Sequence, residues 1–202
     1  MYKHYTDLLL AMCLLLQAGC SSMPGERQST TQMQTITPML QADYLKAIAL
    51  MQEHEWLAAQ QHLLPITTSH PQLSGPWLNL GITQLQLGDG SAAEAAFNRA
   101  LDANPGNIEA CNQLGILNRR AGRLDEARRY YEAALLHDPD YADAHWNLGI
   151  LYDQYLSNPE QALQHYERYQ AITGTANPQL HAWIDELRLQ TRAEAITAKV
   201  QP

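Results

Sequence analysis

The chain has 202 residues, room for one ordinary domain or one short repeat array, and 46% of them are hydrophobic, enough to bury a core. Its 13 Lys and Arg against 21 Asp and Glu leave a formal charge of −8, which repels nucleic-acid backbones and anionic lipid surfaces. A DNA or RNA partner is disfavoured, and so is a chain disordered throughout.

The first element is an apolar run from Leu8 to Leu16, with Lys3 and His4 before it and the small residues Ala18-Gly19-Cys20 after it. It is roughly half the ~20 residues of a spanning helix and suits the apolar region of a signal peptide. The turn-prone Ser21-Ser22-Met23-Pro24-Gly25 follows. This stretch resembles a bacterial lipoprotein signal. The resemblance implies that residues 1–19 are removed and that Cys20 becomes a lipid-modified N-terminus. Gln17, with Leu16 one place too early, and the charge of Asp7 depart from the pattern, and cleavage by ordinary signal peptidase is the alternative. Ser at positions 21 and 22, rather than Asp, implies by the same resemblance an outer-membrane lipoprotein facing the periplasm. Each buried CH₂ of such an anchor contributes about 0.8 kcal/mol, so three acyl chains would hold permanently.

With Cys13 leaving in the signal and Cys20 taken by lipid, Cys111 is expected to have no disulfide partner within the chain. Its apolar spacing to Leu114, with no neighbouring cation to activate a thiolate, suits a small buried hydrophobe better than a nucleophile. Residues 20–37, rich in Ser, Thr and Gln, read as a tether with an end-to-end distance of roughly 20–25 Å.

Beyond residue 38 the chain repeats itself. Leu80-Gly81, Leu114-Gly115 and Leu148-Gly149 are spaced by 34 residues, as are Pro71, Pro105 and Pro139. Ala59, Ala93 and Ala127, Phe97 and Tyr131, and Ala100 and Ala134 keep the same register. Trp77, Leu80, Gly81 and Gln84 fall on one helical face that Gly88-Asp89-Gly90 ends. A second helix from Ser91 presents Ala93, Ala96, Phe97, Ala100 and Leu101 and stops before Asn104-Pro105. Gly81 and Ala93 allow close approach, and Phe97 and Leu101 are expected to fill the gap toward the next unit. Each hairpin leaves apolar surface bare until a neighbour covers it.

The pattern resembles the tetratricopeptide repeat, in units near 40–73, 74–107, 108–141 and 142–176 of an array spanning 38–176. The resemblance implies an all-α fold, an α-solenoid of helix-turn-helix repeats. In the first unit Lys46-Ala47 replaces Leu-Gly; the fourth has His145 at the site of Trp77 and one extra residue, assigned to its Ser157-Asn158-Pro159 turn. A capping helix is expected at 177–198, opening at Asn177-Pro178 with Leu180, Trp183, Ile184 and Leu187 on one stripe and the chain fraying beyond about 195.

No chemistry-bearing motif emerges. His54-Glu55 lacks the second His four residues on that a zincin helix requires, since the next is His62. His137, His145 and His165 are scattered over different helices without ligand spacing, and neither a phosphate loop nor a nucleophile elbow occurs. No enzyme activity, cofactor, metal or small-molecule substrate is expected.

In the resembled fold the first helices line a concave groove. The groove positions are Leu78, Asn79, Ile82 and Leu85; then Asn112, Gln113, Ile116, Arg119 and Arg120; then Trp146, Asn147, Ile150 and Asp153, with Tyr44, Ile48 and Met51 joining from the first unit. The Ile row could accept side chains of an extended or helical peptide, Asn79 and Asn147 could bond its backbone, and Arg119 or Arg120 could meet a carboxylate. The same Ile residues could instead pack between hairpins, with the arginines a solvated helix end. The Lys, Asn and Arg clamp by which related proteins hold chaperone C-termini is missing; its places read Tyr44, Ile48, Leu78, Gln113, Asp143 and Asn147. Two functions remain open: a membrane-anchored adaptor binding a protein or peptide, by resemblance in pilus or secretin assembly, and a spacer or self-assembling unit acting through the array ends.

Overall fold

The computed structural model describes residues 37–175 and 177–200. The leader, Cys13, Cys20 and the tether up to residue 36 lie outside the described residues. Helix α1 (Pro38–Gln52) begins where the Thr37 hydroxyl oxygen accepts from the Leu40 N–H at 3.3 Å, with Pro38 at its first position. It pairs with α2 (Trp56–Ser69). In the same way α3 (Ser74–Gln86) pairs with α4 (Gly90–Ala103), α5 (Ile108–Arg120) with α6 (Leu124–His137), and α7 (Ala142–Ile150) with α8 (Pro159–Thr173). Helix α9 (Pro178–Val200) packs on α8. The fold is an all-α stack of hairpins.

Each hairpin turns through three residues, and the middle one is always left-handed: His54 (φ 61°), Gly88 (84°), Gly122 (74°) and Ser157 (49°). Since the fourth turn is no longer than the others, the extra residue of that unit is not in it. It sits in the helix before, where α7 continues as a π turn, Leu151–Tyr155, closed by the Leu156 N–H donating to the Leu151 carbonyl at 3.0 Å. A wider turn absorbs one residue without shifting the hairpin that follows.

The two helices of a hairpin meet at a glycine and an aromatic ring. A Cβ on Gly81 would lie 2.5 Å from the Phe97 ring, one on Gly149 2.5 Å from the Tyr166 ring, and one on Gly115 well inside contact with Tyr131. Phe97, Tyr131 and Tyr166 are fully buried there. Phe97 therefore fills the crossing inside its own hairpin. Leu101 faces the gap toward the next unit, packing with Cys111, Ala134 and Ala144. Burial of each such ring contributes about 1.5–3 kcal/mol.

The stack ends as an amphipathic helix would end it. Leu180, Ile184 and Leu187 of α9 are buried in one cluster with Tyr131, Leu148, Leu151 and Tyr166. Without that helix the apolar face of α8 would be open to water.

Candidate partner-binding face

First helices of neighbouring hairpins lie side by side, α1 against α3 and α5 against α7, and together present the candidate face. Two amide bonds cross it: Asn79 Nδ2 donates to the Tyr44 hydroxyl oxygen at 2.8 Å, and Asn147 Nδ2 donates to Asn112 Oδ1 at 2.9 Å. Burial, with Glu109 adding to it, pushes the Tyr44 hydroxyl well above the ordinary tyrosine range, so it stays a neutral partner for Asn79.

The sequence-derived positions differ in what they offer. Leu78, Asn79, Ile82, Asn112 and Asn147 are all 9% exposed or less. Asn79 and Asn147 each commit an amide donor to a neighbouring helix, so they tie the first helices together. Met51 is buried, and Ile48 and Gln113 are partly buried. Leu85, Ile116, Arg119, Trp146 and Ile150 are partly open, and Arg120 and Asp153 are exposed. A visitor on this face would therefore meet an apolar middle with charge toward the ends of the helices.

Arg119 sits among tyrosines. Its Nε donates to the Tyr131 hydroxyl oxygen at 3.5 Å and an η nitrogen to that of Tyr155 at 3.4 Å, while its guanidinium carbon lies 5.6 Å from the centre of the Tyr155 ring. Burial works against the charge, but the two hydroxyl oxygens outweigh it and hold the guanidinium above its usual range. Further along, the Trp146 ring packs 5.4 Å from Tyr166, 5.1 Å from Tyr169 and 6.1 Å from Trp183 of α9. The Asp153 carboxyl is raised by burial; the Tyr166 hydroxyl lowers it and Glu186 raises it further.

Two histidines that the sequence left scattered are brought together. His145 Nδ1 and His165 Nδ1 are 3.0 Å apart, and the His165 ring lies parallel to that of Tyr152, tilted by 8°. His145 Nε2 is 3.0 Å from the Pro139 carbonyl, just as Trp77 Nε1 donates to the Pro71 carbonyl at 3.0 Å. His145 thus does the work of Trp77, a ring N–H donated to the proline six residues back. The period itself carried that signal; the partnership with His165 was not legible. Among the described residues no three metal-ligating side chains converge. Cys111 is 2% exposed, and burial raises its thiol.

Residues 44–108 and 112–178 match the family model described as Tetratricopeptide repeat. This chain belongs to the tetratricopeptide repeat family. Over 96 residues it is 33% identical to Cellulose synthase operon protein C of Komagataeibacter xylinus, a match covering 44% of this chain. The matched part spans only 7% of that relative's length. Among solved structures it resembles YrrB, described as a TPR protein with an unusual peptide-binding site, at a TM-score of 0.59 and 26% identity, covering 71% of this chain and 73% of that one. It also resembles pilF of Pseudomonas aeruginosa, at a TM-score of 0.66 and 18% identity over 76% and 69% of the two chains. The second likeness is one of fold alone.

Proposed function

We propose that this tetratricopeptide repeat protein is a non-enzymatic adaptor that takes a peptide or protein partner on the face built by α3, α5 and α7. One observation carries the reading: Leu85, Ile116, Trp146 and Ile150 leave apolar surface partly open along that face, beside Arg119. Apolar surface interrupted by a few fixed polar groups suits a polypeptide ligand. The peptide-binding site of YrrB supports the same use of a related fold. We further infer, from the lipoprotein-like leader, that Cys20 is lipidated and that the adaptor works at the outer membrane in envelope machinery of the pilus or secretin kind.

Affinity purification from the native host tests the adaptor. Trp146→Asp and Arg119→Glu should abolish recovery of the partner while circular dichroism stays helical; recovery unchanged by both variants would refute it. Mass spectrometry of the mature N-terminus tests the anchor, with a triacylated Cys20 expected and an unmodified N-terminus contrary to it.

A second reading has its own observation. Met39 (76% exposed) and Leu45 (46%) on α1, and Leu189 (71%) and Ile196 (56%) on α9, leave apolar side chains bare at both ends of the array. These would suit end-to-end self-assembly. Sedimentation at rising concentration separates the two: an oligomer that persists in Arg119→Glu and dissolves in Leu189→Glu favours assembly.

A further inference from the structure

We propose that Arg119 is the seat of a carboxylate on the partner, so that the ligand of this face is a peptide carrying an acidic side chain or a free C-terminus there; the inference rests on the adaptor reading above. Six of the nine arginines among the described residues reach a carboxylate of the chain itself. Arg119 is partly buried and makes no such ion pair among the described residues. Among the described residues its acceptors are two neutral phenol oxygens at the long end of hydrogen-bond range, 3.4 and 3.5 Å. A guanidinium has five N–H donors, so most of its capacity is unspent.

A position in the last turn of α5 favours a cation through the helix dipole, by about 0.3–1 kcal/mol. That accounts for a basic residue but not for its frame. Tyr155, which both stacks on the guanidinium and accepts from it, is the last residue of the π turn. Neither α3 nor α5 carries such a turn; each is a regular helix of 13 residues. The irregularity of the fourth unit thus ends on the residue that orients Arg119, and π turns of this sort gather at functional sites. An oriented fork with free donors matches a carboxylate in two-point contact.

The remaining chemistry favours a peptide over a polyanion. The chain's −8 charge opposes a nucleic acid or an anionic membrane, whereas one carboxylate on an otherwise apolar segment can pair with Arg119 while its neighbours meet Ile116, Ile150 and Trp146. Arg119 is also none of the positions at which the chaperone-tail clamp would stand.

An array of random synthetic 12-residue peptides, each in free-acid and amidated form, is probed with the full chain and with its Arg119→Gln, Arg119→Lys and Trp146→Asp variants. Wild-type binders should be enriched in Asp or Glu, or depend on the free C-terminus, the amidated arm telling the two apart. Arg119→Gln should weaken those binders on the order of tenfold or more, with Arg119→Lys intermediate. A fluorescence titration of the wild type against an Asp→Asn copy of the best binder should show the same loss without altering the protein. If wild type and Arg119→Gln select the same peptides with no acidic preference, and Trp146→Asp still abolishes them, the carboxylate is wrong and the groove stands. If no peptide binds, or Trp146→Asp changes nothing, both are overturned.

Discussion

Nδ1 of His145 and Nδ1 of His165 face each other at 3.0 Å across the hairpin of α7 and α8. A carbonyl can only accept, so the contact with Pro139 fixes the proton of neutral His145 on Nε2. His145 Nδ1 is then the acceptor, and His165 must donate. Burial, and then His145, hold His165 down to about 4 against an ordinary 6.5. The fold accepts the neutral ring, so this contribution to stability is whole above pH 6.5 and is lost as pH falls from 6.5 toward about 4. Thermal unfolding followed by circular dichroism should show Tm declining through that window more steeply in the wild type than in His165→Gln. Equal slopes would exonerate the pair.

The glycine at each helix crossing should resist even one methyl group. Gly115→Ala would raise helix propensity by about 1 kcal/mol, yet its Cβ drives into the fully buried Tyr131 ring. Overpacking of this kind costs about 1–3 kcal/mol, so a net loss is expected in urea denaturation. The displaced Tyr131 hydroxyl would also release Arg119, so peptide binding should weaken alongside stability.

Ser157 occupies the left-handed place that Gly88 and Gly122 hold in the neighbouring turns. A side chain there costs about 1–2 kcal/mol, part of which glycine returns through its freer unfolded state. Ser157→Gly should therefore stabilise the array by about 0.5–1 kcal/mol, read as a higher urea midpoint at unchanged slope. A lower midpoint would mean that the Ser157 side chain makes a contribution of its own.

The Asn112–Asn147 bond is buried on both sides. Asn147→Leu leaves the Asn112 oxygen without that donor and should cost about 1–3 kcal/mol. Asn112→Leu combined with Asn147→Leu should cost less than the two single changes added together, because no orphaned amide remains. Additive losses from the three variants would show that the amides act separately.

Much of the architecture was visible as arithmetic. The 34-residue spacing of Leu-Gly, Ala and Pro located the hairpins, because every unit solves the same packing problem with the same small and large residues. The site was less legible. Asn79 and Asn147 sit at groove positions by register, yet their bonds to Tyr44 and Asn112 span 35 residues each, a relation that a local pattern does not contain. The extra residue of the fourth unit was countable, but a π turn and a longer loop absorb one residue equally well in a string of letters; hydrogen bonding placed it in the helix.

The sequence by itself determined the helical hairpin, its period and the order of stacking, since apolar spacing and turn residues act over a few neighbours at a time. Only the tertiary structure decided which polar side chains satisfy one another and which are left to meet a partner. Burial joins residues from separate helices, as with His145 and His165, and the contacts between helices distinguish a paired arginine such as Arg188 from the uncompensated Arg119.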